Sequence, residues 1–417
     1  MKPTAGPHEM SAMAGGRPLD GIRVLDFSHA AAAPFASMFL GDLGAEVIKI
    51  EKPKHGDGSR SMGVPMPMLD ARDSDYYVSL NRNKKSIVID LGAPDGAALA
   101  RRLATQCDIV VENFRPQVMG RLGLGFSDLR SLRHGLVYCS ISAFGDTGPW
   151  CKRPANDIIM QSVTGLMGIT GEVGGGPVRI GAPIADFSSG LFGLSGVLAA
   201  LFARARFPEG QHVKVAMLDA SLNMMCNYIP SVATLGHRIG RLGRGHAQIV
   251  PYQAFACADG EYVMVGAFTR EFWRNLCRAV GHEEWITDVR FKSNPARLTN
   301  RALLVGELER IFATRTRDQW LAALDAADVP NSPVLELHDA VHTEQVRHNA
   351  SISPIDHDGH PVLLAASPIK AEQWTAPPAR SAPHLGADTR QVLQALLGLS
   401  AEEMDDLAKR NIVEGST

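Results

Sequence analysis

The sequence predicts an α/β fold: a parallel sheet covered by helices on both faces, followed by a smaller α+β region. Three observations predict it. Short β-branched runs alternate with helical segments from Leu19 to about Tyr228, the pattern of parallel sheets. Past Leu235 the texture changes to amphipathic helices around isolated strands. The length of 417 residues accommodates two or three domains.

The elements follow in order. Ile22–Phe27 reads as the first strand, and the alanine-rich loop after it leads into a helix to about Leu43, with Pro34 near its first turn. Ala45–Glu51 is the second strand and a polar, glycine-rich loop follows it. Ser86–Leu91 is a third strand, backed by a helix over Pro94–Thr105. Ile109–Glu112 and Leu136–Ser142 are the fourth and fifth, separated by a short helix at Gln117–Leu122. Asp157–Gly168 reads as a helix, Val213–Ala216 as a strand and Leu218–Tyr228 as a long helix. Beyond it come a strand at Glu261–Val265 and helices at Arg270–Val280, Asn300–Ala313 and Arg317–Ala326. A Pro-rich loop (Thr375–Pro383) and a helix at Thr389–Leu397 close the chain. The expected organisation is a disordered tail (1–17), a large domain (18–229), a small domain with linkers (230–345) and a C-terminal segment (346–417). No Gly-x-Gly-x-x-Gly follows the first strand, which argues against a dinucleotide cofactor.

Composition excludes several classes. With 42 basic and 44 acidic residues there is no bulk charge for nucleic acid. No apolar run is expected to span a membrane uninterrupted. The six cysteines form no Cys-x-x-Cys pair, and no His/Cys cluster has zinc spacing, so no metal is expected and the thiols read as those of a reduced, cytoplasmic protein.

One stretch stands out. A Gly/Pro-rich loop delivers Asp186 to an uncharged run, Phe187–Ala203, in which Gly190, Gly193 and Gly196 recur every third residue. Glycine costs a helix about 1 kcal/mol relative to alanine, so these glycines predict a buried helix closely approached by other backbone. Asp186 would sit at its mouth, either as an N-cap or as a functional carboxylate near first-turn N–H groups.

Several motifs together resemble the class III CoA-transferases, the group of formyl-CoA and carnitine CoA-transferases that also holds 2-methylacyl-CoA racemases. They are Pro18–Asp26, Leu43–Glu51, Asn81–Ile87, Val111–Pro116, Gly145–Pro149 and the Asp186 loop. The segment His246–Phe255 looks like the branch of succinyl-CoA:glutarate and related dicarboxylate transferases. The resemblance implies a Rossmann-like large domain built from both chain ends, a small domain, and an interlocked homodimer. It implies no tightly bound cofactor, coenzyme A thioesters and carboxylic acids as substrates, and Asp186 as nucleophile. CoA contacts map to Ala31, Ala32, Lys52, Ile89, Asp90, Leu91, Gly92, Asn113, Phe114, Arg115 and Arg121. Gly243, Gly245 and His246 are the candidates for closing over substrate. Lys52, Arg115 and Arg121 supply the cations phosphates need, whereas Asn81, Asn83, Lys84 and Lys85 read as structural.

The chemistry suits the residues. A carboxylate that attacks an acyl-CoA conserves the thioester through a mixed anhydride and an enzyme-bound thioester, and small neighbours (Gly181, Ala182, Ala185, Ser188, Ser189, Gly190) leave room for it. Formyl-CoA transferases carry glutamine where Ala31 stands, and lysine and tyrosine near Ser142 and Phe144, which points away from formyl-CoA and oxalate. The racemases have a His-Asp pair where this chain has Asn156-Asp157, and asparagine cannot accept a proton. A non-catalytic acyl-CoA-binding protein is the remaining alternative.

Overall fold

The computed structural model describes residues 16–66, 73–372, 374 and 379–414. The expected disordered tail, apart from Gly16 and Arg17, and part of the Pro-rich loop lie outside the described residues. The chain forms two compact units: Met1–Thr164, Gly181–Cys226 and His348–Thr417 in one, Gly165–Ile180 and Asn227–Arg347 in the other.

The first unit is organised on a seven-stranded sheet. Its parallel strands are β1 (Arg23–Asp26), β2 (Glu46–Glu51), β3 (Lys84–Ile89), β4 (Ile109–Glu112), β5 (Val137–Ser142) and β6 (Gln211–Ala216), in the spatial order β3-β2-β1-β4-β5-β6. Val24 of β1 lies between Val47 of β2 and Ile109 of β4. Side chains alternate, so Leu25 and Phe27 enter one core and Val24 the other. The first core is filled by helix Pro94–Ala104 and by two helices from the chain's end, Thr389–Leu397 and Ala401–Lys409. The second is filled by helices Ala32–Asp42 and Ile184–Ala203. Val413 and Glu414 add an antiparallel edge strand to β3, so both chain ends contribute to one sheet.

Several expectations are corrected. The helix expected over Asp157–Gly168 breaks into Asp157–Val163 and Leu166–Ile169, because Gly165 between them takes φ +91°. The long helix expected at Leu218–Tyr228 is only Met217–Asn223. Helix Ala401–Lys409 went unread although Ser400 and Glu403 form a capping box at its start. Helix Ile184–Ala203 begins before Asp186, which is therefore a first-turn residue and not the N-cap. By length and composition that helix could cross a membrane. It packs instead on helix Ala32–Asp42 and on β5 and β6.

The glycine spacing of this helix has a direct explanation. A Cβ on Gly190 would lie 2.5 Å from the carbonyl oxygen of Ala32, one on Gly193 2.9 Å from Ile141 and one on Gly196 2.5 Å from Val213. Gly190→Ala is therefore expected to destabilise the protein by about 1–3 kcal/mol through overpacking, despite alanine's better helix propensity. Urea denaturation would show this as a lowered midpoint at constant slope.

The second unit has an antiparallel sheet of Tyr252–Ala256, Tyr262–Gly266 and Asn331–Pro333. Helices Arg270–Ala279, Arg301–Phe312 and Arg317–Ala326 cover it around Phe255, Trp273, Phe312 and Trp320. Tyr252–Ala256 was legible only as a motif, not as a strand.

Candidate active site

The strand order reverses between β1 and β4, and ligands of open α/β sheets bind in the crevice beyond the strand ends at such a point. The loop leaving β1 is held there by buried charge. Lys84 pairs with Asp26 at 3.0 Å beneath it. Lys49 pairs with Asp57 at 2.7 Å and donates to the Ser28 carbonyl at 2.6 Å. Asp57 accepts the N–H of Ala30, which adopts φ +61°. Asn113, after β4, clamps His29 by both backbone groups: its Oδ1 accepts the His29 N–H at 2.9 Å and its Nδ2 donates to the His29 carbonyl at 2.8 Å. Asn113, which the resemblance maps to the coenzyme, thus also shapes the crevice through its amide.

Two cavities meet at this loop. One, of about 600 Å³, opens beyond the ends of β1, β2, β3 and β4; its walls include Lys52, Asp90, Phe114 and Arg115. Ile89, Leu91 and Gly92 of the predicted set also line it, and Gly92 donates its N–H to the Asp90 carboxylate at 2.9 Å. Arg121 instead lines a neighbouring cleft that shares Leu91 and Gly92. The second cavity, of about 320 Å³, brings Ala31, Ala32, Asn113, Phe114, Arg115 and Asp186 together. His29, Phe114 and Arg115 line both. His29, which sequence reasoning left unassigned, packs its ring 5.2 Å from that of Phe114, and burial holds its pKa below the usual value.

Asp186 projects from the first turn of helix Ile184–Ala203. The first-turn N–H groups were expected to face an anion at or near this carboxylate, and those of Ala185 and Asp186 are two of them. The Asp157 carboxylate meets them instead, with Oδ1 2.8 Å from the first and 3.4 Å from the second. Gln161 donates to the other oxygen of Asp157 at 2.7 Å. This external cap lets the helix start early, so Asp186 is spared for other work. Burial, then the nearby Asp157 charge, push Asp186 up to about 7. Tyr76 is close enough for the Asp186 charge to raise its hydroxyl's pKa, after burial. Ser188 and Ser189 are buried and donate back to the Ala185 carbonyl, so they contribute small size and not donors to the cleft. Asn156, at the racemases' His position, caps helix Asp157–Val163 by accepting the Ile159 N–H. Asp157 was missed as a site residue because its partner lies on another helix, far along the chain.

Gly243, Gly245 and His246 belong to the second unit. Gly243, at φ +56°, donates its N–H to the Gly171 carbonyl, and Gly245 bridges Gln253. His246 donates its N–H to the Tyr252 carbonyl, and its Nδ1 accepts the N–H of Gln248 at 3.1 Å. Arg301 holds the carbonyls of His246 and Ala247 at 2.9 and 3.0 Å. The segment is an ordered loop.

Comparison with known proteins identifies the family. The family model described as CoA-transferase family III matches residues 19–389. The succinyl-CoA:glutarate CoA-transferase of Mus musculus is 34% identical over 399 residues, covering 95% of this chain and 91% of that protein. The succinate–glutarate CoA-transferase of Agrobacterium fabrum is 34% identical over 389 residues, covering 91% and 96%. A crystal structure of a CAIB/BAIF family protein from Brucella suis superposes with a TM-score of 0.80 at 32% identity, covering 91% of this chain and 99% of that one. The chain is thus an enzyme that belongs to CoA-transferase family III.

Proposed function

We propose that the protein moves CoA from succinyl-CoA to a dicarboxylic acid such as glutarate, with Asp186 as the nucleophile. The observation that carries the mechanism is a carboxylate in a cleft that shares His29, Phe114 and Arg115 as walls with the 600 Å³ cavity. An Asp186 oxygen attacks the thioester carbon, the C–S bond breaks, and CoA thiolate leaves a mixed anhydride. The thiolate then attacks the aspartyl carbonyl, releases the donor as carboxylate and leaves an aspartyl-CoA thioester. The acceptor carboxylate repeats both steps in reverse and restores Asp186. No proton is gained or lost over the cycle. Raising Asp186 towards the thiol range, about 8.5, brings the two exchanging nucleophiles closer in basicity and so balances the steps.

The choice of donor and acceptor is supported by the transferases named above, whose names specify succinyl-CoA or succinate and glutarate. An acceptor screen against succinyl-CoA, with CoA transfer followed by chromatography, tests it; monocarboxylates outperforming every diacid would defeat the substrate claim. Mass spectrometry after mixing with succinyl-CoA tests the chemistry, because the aspartyl-CoA adduct is cleaved by hydroxylamine to a hydroxamate at Asp186. We also read the active form as a cytoplasmic homodimer with interlocked chains. Exposed Ile158, Ile159, Leu191 and Phe192 on the first unit, with Phe202 81% exposed, support burial against a second copy. Sedimentation giving a monomer would refute that.

The raised pKa makes a pH prediction. The attacking form is ionised, so kcat/KM is expected to rise about tenfold per pH unit below a midpoint near 7 and to level above it. Asp157→Asn removes the like charge but keeps an oxygen to cap the helix, so the midpoint should move to lower pH. An unmoved midpoint in that variant would show that Asp157 does not tune the nucleophile.

A further inference from the structure

Away from the cleft, the first unit holds a cluster that the transfer chemistry does not use. Asp73, His357 and His384 each offer a ligand atom, and these atoms all lie within 4.8 Å of one another. We propose that these three side chains bind a divalent transition metal ion of the zinc type, which staples the hairpin Ile352–His357/His360–Ala365 and the segment around His384 to the chain at Asp73.

Asp73 and His357 are 2% and 3% exposed. The Nε2 of His357 is buried without a hydrogen-bond partner, and it points at Asp73, 3.8 Å from Oδ2. A buried imidazole nitrogen left without a partner calls for a physical explanation, and a bound ion is one that the neighbouring ligand atoms supply. The Nδ1 of His384 is 2.9 Å from the same Asp73 oxygen. Tetrahedral ligands on bonds near 2.0 Å stand about 3.3 Å apart, between these two separations. Small side-chain rotations therefore suffice to seat an ion.

The outer nitrogens are oriented as a metal site requires. The Nε2 of His384 meets the Asp358 carboxylate at 2.6 Å, and the Nδ1 of His357 meets the Ser381 hydroxyl. Metal-bound histidines characteristically hold the second ring nitrogen on such an acceptor, which fixes the tautomer. Asp73 is anchored too, because its other oxygen receives Arg60. Two imidazoles and one carboxylate favour zinc-like ions over magnesium or calcium, which take oxygen ligands. His384 is partly exposed and gives an ion a way in. The proposal departs from the expectation of no metal, which looked for local zinc spacing, whereas these residues are far apart in the sequence. The site also reaches the large cavity indirectly, since Arg60 holds Glu51, which lines it.

The full-length protein, stripped with a chelator, is titrated with Zn²⁺ and in parallel with Co²⁺ as a spectroscopic probe. One tightly held ion per chain is expected, with a higher melting temperature and uptake that falls as the histidines protonate. Asp358→Asn leaves all three ligands in place at an exposed position and is expected to weaken uptake about 10- to 100-fold. The pair His357→Gln and His384→Asn together should abolish it, and Asp186→Asn should leave it intact. No saturable uptake by the stripped protein, or uptake undiminished in the double variant, overturns the assignment. Should the double variant fail to fold, unchanged affinity in Asp358→Asn together with a Co²⁺ spectrum lacking nitrogen ligation overturns it equally.

Discussion

Asp186→Asn is expected to lower CoA transfer by a factor on the order of 10⁴ or more while acyl-CoA binding persists nearly unchanged. The amide cannot form the anhydride or carry the thiol. The residues around the larger cavity, Lys52, Ile89 to Gly92, Phe114 and Arg115, are untouched by the change. Steady-state assays and calorimetric titration with a CoA thioester separate the two effects. The variant also makes a stability prediction of definite sign. Asp186 has a raised pKa in the folded protein, about 7 against a reference of 3.8. The native state therefore holds its proton more tightly than the unfolded chain does. That contribution is fully present below pH 3.8 and is lost as pH rises through 7. At pH 8 the ionised carboxylate works against folding, so Asp186→Asn should melt above the parent protein there, and the gap should close towards pH 4. Retained transfer would remove Asp186 from the nucleophile's role, and a variant that melts lower at pH 8 would overturn its raised pKa.

Much of this molecule was readable from its sequence, and the unread parts share a cause. The parallel strands announce themselves as local apolar runs, and Ile109–Glu112 was placed to the residue. The glycines of the long helix signal close approach by their spacing, but the expected backbone arrives only at Gly190, from Ala32, whereas the side chains of Ile141 and Val213 fill the space at Gly193 and Gly196. Asp186 was legible as a carboxylate set among small residues, but its place in the helix was not. Its cap comes from Asp157, on a helix earlier in the chain. Asn113 was mapped to the coenzyme by resemblance alone, and the sequence could not say that its amide also clamps His29, after β1. The cluster of Asp73, His357 and His384 escaped for the same reason. Periodicity and caps are local and survive in one dimension; a pKa, a clamp or a ligand set depends on which distant segments meet.

The buried charges beneath the β1 loop supply the second large effect. Lys49→Met should destabilise the protein by about 3–5 kcal/mol, the usual result of breaking a fully buried pair. Lys49 is fully buried and has Asp57 as its ion-pair partner. Burial alone would raise the Asp57 carboxyl, but Lys49 pulls it well below the ordinary carboxylate range. That depressed pKa contributes stability which is present above pH 3.8 and is lost as pH falls. The deficit of Lys49→Met should thus be largest near neutrality and shrink in acid, where the stranded carboxyl can protonate. Lys49→Met with Asp57→Asn should recover part of the loss, since no charge is then left unpaired. The defect should also reach the substrate. Asp57 accepts the Ala30 N–H that stabilises the left-handed backbone of the loop, and Ala31 follows directly in the cleft with Asp186. Lys49→Met should accordingly raise KM for acyl-CoA, and the double variant should restore stability better than KM, because asparagine supplies an acceptor for the Ala30 N–H but not the charged pair that orients it. Urea midpoints measured across pH, beside KM for the same variants, read both effects; equal recovery of the two would mean that the pair supports folding alone.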